Sequence, residues 1–114
     1  MIDLRDIWKT YRVGTNDIHA LRGVSLSIKR GEFVAIMGAS GSGKSTLMHL
    51  MGLLDLPDSG VLKIDGVEAG GLGESVLAEL RAKSIGFIFQ QFHLLKRSSA
   101  LDNVCLPLFY AGQP

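Results

Sequence analysis

Eight consecutive residues carry the clearest chemistry in this sequence. Gly38-Ala39-Ser40-Gly41-Ser42-Gly43-Lys44-Ser45 has the spacing G-x-x-x-x-G-K-[ST], and Thr46 follows. Glycines at 38, 41 and 43 let a backbone wrap tightly without Cβ clashes. Successive N–H groups then turn inward and form a nest for an anion. Lys44 adds a full positive charge for the outer phosphates of a nucleotide. The Ser45 hydroxyl is suited to a Mg²⁺ ion, and Thr46 offers its N–H and hydroxyl to the phosphate nearest the sugar. The alternative is a glycine-rich turn with a chance lysine, and the flanking pattern argues against it.

Two further positions have chemistry of their own. Tyr11 is an aromatic beside an early turn. Its ring either stacks on a base, at about 1–3 kcal/mol by analogy with nucleic-acid stacking, or closes a strand end. Gln90 follows an apolar run, with Gln91 the weaker candidate one step on. A neutral amide accepts from water and ligates a hard cation, or it caps a strand. His19, His49 and His93 have no metal-ligand spacing with a cysteine pair. His49 reads as a satisfied polar residue in a buried helix, Trp8 as a core cover, and Cys105 as a small apolar residue.

These residues need elements to hold them. A phosphate loop requires a buried strand before it and a helix after it. Phe33–Met37 is apolar throughout, which predicts a strand buried on both faces, as in a parallel sheet. Lys44–Leu54 predicts a largely buried helix. Upstream, Ile2, Leu4 and Ile7-Trp8 predict one strand, and the alternation Val24-Ser25-Leu26-Ser27-Ile28 predicts another. Gly14-Thr15-Asn16-Asp17 between them marks the turn of an antiparallel pair. Lys29–Glu32 and Pro57–Gly60 read as turns, and Val61–Asp65 as a strand closed by Asp65-Gly66. Glu74–Lys83 predicts a helix, and Ile85–Phe89 a second buried strand. Ser99 with Asp102 resembles a capping box opening a helix through Leu108, which Pro107 limits or kinks. The predicted class is α/β: a P-loop NTPase core with an N-terminal antiparallel β subdomain.

Composition excludes several functions. Twelve Lys+Arg against eleven Asp+Glu leave a net charge of +1, with no basic stripe to follow a nucleic acid. The longest apolar runs are a few residues, far short of the about 20 that span a bilayer. The charged start, Met1–Asp6, does not read as a signal peptide. A single cysteine forms no internal disulfide, which fits a reducing compartment.

The motifs together resemble the N-terminal half of an ATP-binding-cassette (ABC) transporter ATPase. Val34–Thr46 is similar to that family's phosphate-loop region, Ile85–Phe92 to its glutamine loop, and Gly60–Gly66 to a strand and turn of that family. Asp102–Leu108 resembles the segment after the glutamine loop. Met51–Pro57 and Leu106-Pro107-Leu108 point to the lipoprotein-release and macrolide-export branch. The resemblance covers nearly the whole chain. It implies that Gly38, Ala39, Ser40, Gly41, Ser42, Gly43, Lys44, Ser45 and Thr46 hold ATP, and that Tyr11 stacks on its adenine. It implies that Ser45 and Gln90 serve Mg²⁺, and that Lys44 and Gln90 take part in hydrolysis. The implied partners are a transmembrane permease subunit, docked near Phe92–Ser99, and a second ATPase subunit in a head-to-tail dimer. Lys96-Arg97-Ser98-Ser99 departs from the proline and threonine often found there. The implied location is cytoplasmic and peripheral, on the inner face of the cell membrane.

The family's LSGGQ-like signature, its apolar strand ending in Asp-Glu and its switch histidine do not occur in this sequence. Residues 1–114 therefore read as the N-terminal part of a nucleotide-binding domain, with the C-terminal half absent. Such a chain is expected to bind nucleotide weakly, to hydrolyse it poorly and to form intermolecular contacts through exposed apolar segments. Two other readings stay open here: a complete small P-loop module or kinase-like protein, and an interaction module with a vestigial phosphate loop.

Overall fold

The computed structural model describes residues 1–112. Its sheet grows from one hairpin. Strand β1, Ile2–Val13, and strand β2, Asn16–Ile28, pair antiparallel from Val13↔Asn16 to Ile2↔Ile28. Gly14 has φ +64 and Thr15 has no positive φ, the pattern of a two-residue type II′ turn. The antiparallel pair expected from the turn signal is therefore present, and both strands are longer than the alternation alone indicated.

Strict alternation would place Leu4 and Ile7 on opposite faces. Both are buried. The register shifts between Leu4 and Ile7, where Asp6 takes φ +51. This irregularity returns Ile7 to the core face. Trp8 is correspondingly displaced. It is 42% exposed, and its indole N–H donates to Asp6 Oδ1 at 3.1 Å. The expectation that Trp8 covers the core is corrected by the irregularity.

Strand β3, Ser59–Ile64, lies antiparallel on the other side of β1, and β4, Val67–Glu68, folds back on it. The order is β2-β1-β3-β4. Asp65 and Gly66 both have positive φ, as a type I′ turn requires. One face of the sheet, through Leu4, Ile7, Leu21, Leu62 and Ile64, packs into a core with helix α1, Lys44–Met51. Helix α2, Glu74–Ser84, adds Leu77.

Helix α1 stops short of the predicted Leu54. Leu53 turns into the left-handed region at φ +57 and is buried, so it meets the core from the reversal rather than from a helical turn. Arg81 Nη1 donates to the Leu53 carbonyl at 2.6 Å and ties α2 to this point. Within α1, Leu47, Leu50 and Met51 are buried, but Met48 and His49 face outward. The helix is amphipathic rather than largely buried, and His49 is not a core residue.

Two predicted strands do not form. Phe33–Met37 and Ile85–Phe89 carry no strand pairing, and Phe33, Met37 and Ile88 are almost fully exposed. Their apolar pattern is that of a two-sided buried strand, but a strand exists only where a neighbour takes its N–H and C=O groups. Among the described residues, no strand lies beside either segment to do so. The observed sheet is wholly antiparallel.

Helix α3, Ala100–Tyr110, begins at the predicted capping box. Asp102 N–H donates to Ser99 Oγ at 3.0 Å, and Ser99 N–H donates to Asp102 Oδ2 at 3.3 Å. It runs past Pro107, two residues beyond the expected end, and buries none of its residues. Cys105 is exposed on it. No helix among the described residues is long and apolar enough to cross a membrane.

Candidate functional site

The phosphate-loop residues form a curved segment leading into α1. Ser42 N–H donates to the Ala39 carbonyl at 3.1 Å and closes the turn. Gly41 and Gly43 lie at φ +80 and +96, where side chains are strained. Gly43 has a second reason to be glycine. A Cβ there would stand 2.6 Å from the Ala20 carbonyl oxygen and 3.2 Å from Leu21 Cδ2. The loop is thus seated against β2 through a contact that only glycine permits.

Gly43 is also the N-cap of α1, without a side-chain cap. Leu47 N–H bonds to the Gly43 carbonyl at 2.9 Å and begins the helical ladder. The N–H groups of Lys44, Ser45 and Thr46 have no helical carbonyl behind them. They stand at the positive end of the helix dipole, a ready-made anion site. Lys44 Nζ donates to the Gly38 carbonyl at 2.5 Å and to the Ala39 carbonyl at 2.8 Å. Its charge is thereby held inside the curve of the loop.

A cavity of about 530 Å³ opens over this segment. Ser40, Gly41, Gly43, Lys44, Ser45 and Thr46 line one side, and Tyr11, Ile18, His19 and Ala20 the other. Tyr11 and the loop, separated in sequence by most of the hairpin, therefore share one site. Gln90 is not among its lining residues. It sits on the exposed bend after Phe89, next to Gln91. Gly38, Ala39 and Ser42 belong to the loop but not to the cavity wall. A larger apolar hollow, about 580 Å³, lies elsewhere, between Val34, Ile36, Met48 and Phe87. It holds no chemistry of the kind the loop offers.

Tyr11 is anchored. Its hydroxyl donates to Asp55 Oδ2 at 2.8 Å. Lys9 Nζ stands over the ring, 5.2 Å from its centroid, within range for a cation–π contact. Burial, then the hydrogen bond to Asp55 and the charge of Asp55, push the Tyr11 hydroxyl above its usual pKa of 10.0. For Asp55, burial acts upward. Hydrogen bonds from Tyr11, from the Leu56 N–H and from Lys9 outweigh it and hold the carboxyl below 3.8.

Sequence reasoning missed Ile18, His19, Ala20 and Asp55. A signal for the first three was present. The two-residue turn at Gly14-Thr15 pairs Tyr11 with Ile18 and Thr10 with His19, and Thr10 Oγ1 lies 3.0 Å from His19 Nδ1. Nothing local marks Asp55, which is 44 residues from Tyr11. His93 packs edge-on against Phe89, away from the cavity wall.

A model of the ABC transporter family matches residues 21–113. This chain belongs to the ABC transporter family. It is 57% identical over 113 residues to the macrolide export ATP-binding/permease protein MacB of Chlorobaculum tepidum, covering 99% of this chain and 17% of that protein. It is 57% identical over 100 residues to the lipoprotein-releasing system ATP-binding protein LolD of Bordetella pertussis, covering 88% of this chain and 43% of that one. The fold matches a solved structure, a dimeric post-hydrolysis state of the ATP-binding cassette MJ0796 bound to ADP and Pi. There the TM-score is 0.90 with 47% identity, over 96% of this chain and 47% of the cassette. The chain thus spans half or less of the length of these ABC relatives. Likeness to a cassette over almost the whole chain does not favour the kinase-like reading.

Proposed function

We propose that this chain is the ATP-binding N-terminal part of an ABC transporter ATPase, whose full-length form hydrolyses ATP to drive transport. One observation carries the reading: a single cavity is walled by the phosphate loop on one side and by Tyr11 on the other. A nucleotide has a charged end and an aromatic end, and the two walls match them.

The donor set fits a polyphosphate with its cation. Positive-φ glycines expose the loop backbone, and the first turn of α1 offers free N–H groups. Lys44 already donates to two carbonyl oxygens. Phosphate oxygens at the same place are stronger acceptors because they are charged, so Lys44 exchanges loop carbonyls for the outer phosphates. Ser45 supplies a hydroxyl ligand for Mg²⁺, and Thr46 serves the inner phosphate. Gly38, Ala39, Ser40, Gly41, Ser42 and Gly43 give the loop its path. Tyr11 stacks on adenine. Gln90 is assigned to Mg²⁺ or the attacking water on the family resemblance. When bound, Mg²⁺ neutralises charge developing on the transferred phosphoryl group.

Hydrolysis is assigned to the full-length protein. This sequence has no LSGGQ-like signature and no apolar strand ending in Asp-Glu, so the chain alone binds nucleotide without efficient turnover. The proposed partners are a permease and a second ATPase subunit. The names of the relatives, an ATP-binding/permease protein and a dimeric cassette, support that pairing. A permease partner would place the chain on the inner face of the membrane.

The test is calorimetric titration of ATP with Mg²⁺ into this chain and its Lys44→Ala variant. The variant is expected to bind at least tenfold more weakly. Equal affinities refute the cradle, and turnover by the chain alone at the rate of an intact cassette refutes the division of labour.

A further inference from the structure

Tyr11 is not a free surface ring. Both oxygens of Asp55 are engaged around it. Oδ2 accepts the Tyr11 hydroxyl at 2.8 Å, and Oδ1 accepts the Leu56 N–H at 2.8 Å and Lys9 Nζ at 3.2 Å. Lys9 is itself fixed. Its side chain is 12% exposed, it donates to the Leu56 carbonyl at 2.8 Å, and it lies 3.7 Å from Asp58. The same ammonium covers one face of the Tyr11 ring. The ring is therefore held at its tip and along one face, and a single face remains for a base.

Position in the chain adds to this. Asp55 lies just past the C-terminal end of α1, whose N-terminal end carries the phosphate loop. The cradle thus stands at one end of α1, and the group that holds the ring stands on the turn that leaves its other end. An unanchored surface tyrosine samples rotamers on the picosecond-to-nanosecond scale and loses that freedom when a base lands on it. An anchored one has already lost it.

We infer that Asp55, supported by Lys9, is the positioning residue that fixes the plane of Tyr11 and so sets this site's preference for a nucleobase over a bare polyphosphate. The inference rests on the proposed stacking role of Tyr11. Asp55 touches no ligand in this scheme and acts through the tyrosine alone.

The experiment compares two ligands, ATP and inorganic tripolyphosphate, each with Mg²⁺, by calorimetry on the whole chain. Tyr11→Ala is expected to weaken ATP binding about tenfold, the scale of one lost stacking contact, and to leave tripolyphosphate as it was. Asp55→Ala and Tyr11→Phe are each expected to weaken ATP about threefold, the scale of one hydrogen bond, again without effect on tripolyphosphate. The double variant Asp55→Ala/Tyr11→Phe is expected to be no weaker than either single one, because both remove the same link. If Tyr11→Ala leaves the ratio of the two affinities unchanged, the stacking reading falls and takes this inference with it. If Tyr11→Ala weakens ATP and Asp55→Ala does not, only the positioning role falls. Equal weakening of both ligands by Asp55→Ala also overturns it, since that marks a general loosening of the chain. Should Asp55→Ala fail to fold, Tyr11→Phe decides. It removes one hydroxyl, and unchanged ATP affinity overturns the inference.

Discussion

Gly43→Ala tests how the cradle is seated. Two costs follow from the geometry. Alanine at φ +96 is strained by about 1–2 kcal/mol. Its Cβ, 2.6 Å from the Ala20 carbonyl oxygen, meets backbone of β2 rather than a flexible side-chain tip. Either the loop or the strand must move by several tenths of an ångström, an overpacking cost of about 1–3 kcal/mol. The total is about 3 kcal/mol. Gly41→Ala supplies the control. Its φ is +80, but a Cβ there meets nothing within 4 Å, so only the strain of about 1–2 kcal/mol applies. Urea denaturation of both variants is expected to show the midpoint of Gly43→Ala well below that of Gly41→Ala at similar slope. Titration with ATP is expected to show the larger loss in Gly43→Ala too, because the displaced loop no longer faces Tyr11. Equal stabilities for the two variants would refute the claim that the loop rests on β2 through a glycine-only contact.

Three further predictions follow from contacts already described. Lys44→Ala removes the two hydrogen bonds that its ammonium donates to the Gly38 and Ala39 carbonyls, so even without nucleotide the amides of residues 38–43 are expected to exchange hydrogen faster than in the parent chain. The Asp55 carboxyl is depressed in the folded state, so its contribution to stability is present above about pH 3.8 and lost as pH falls through the lower folded-state value. The Tyr11 hydroxyl is raised, so its contribution is present below pH 10.0 and lost as pH climbs past its folded-state value. Ultraviolet titration of tyrosinate is expected to place Tyr11 above 10.0 in the parent and lower in Asp55→Ala. A titration in that variant unchanged from the parent would contradict the part assigned to Asp55, burial being the larger cause. Ser99→Ala removes the cap acceptor of Asp102 N–H and is expected to cost α3 about 1 kcal/mol. Because α3 buries none of its residues, the loss is expected in local exchange at Asp102 and Asn103, with little change in global Tm.

Features coded by neighbours in sequence were legible. The hairpin turn, the phosphate loop, the start of α1 and the capping box of α3 each depend on a few adjacent residues, and each lies where those residues predict. Features set by distant partners were not. Leu53 ends α1 early in the left-handed position of a Schellman cap, its N–H on the Leu50 carbonyl and the Leu54 N–H on the His49 carbonyl; that position favours glycine, and a leucine there does not announce a helix end. The irregularity at Asp6 turns Trp8 outward, against a pattern that read as cover. Phe33–Met37 and Ile85–Phe89 have the composition of central strands, yet pairing is a property of two segments, and composition describes one. At the candidate site, Ser40, Gly41, Gly43, Lys44, Ser45 and Thr46 of the loop named from the sequence line the cavity, whereas Gly38, Ala39 and Ser42 do not. The opposite wall needed the hairpin register, and Asp55 needed the fold itself.

The cavity between residues 11–20 and 40–46 has a mechanical consequence. Its walls belong to two parts of the chain joined by a long covalent path. A ligand that touches both closes that path into a ring without making a bond, as a reversible staple. Unlike a covalent cross-link, it leaves the opened chain unconstrained, and it stabilises the closed form by RT ln(1 + [L]/Kd). Occupancy of this cavity therefore reports on the union of the hairpin and α1 as much as on the affinity of either wall. A substitution that frees the hairpin from the loop will lower nucleotide affinity even when every residue that touches the nucleotide is intact.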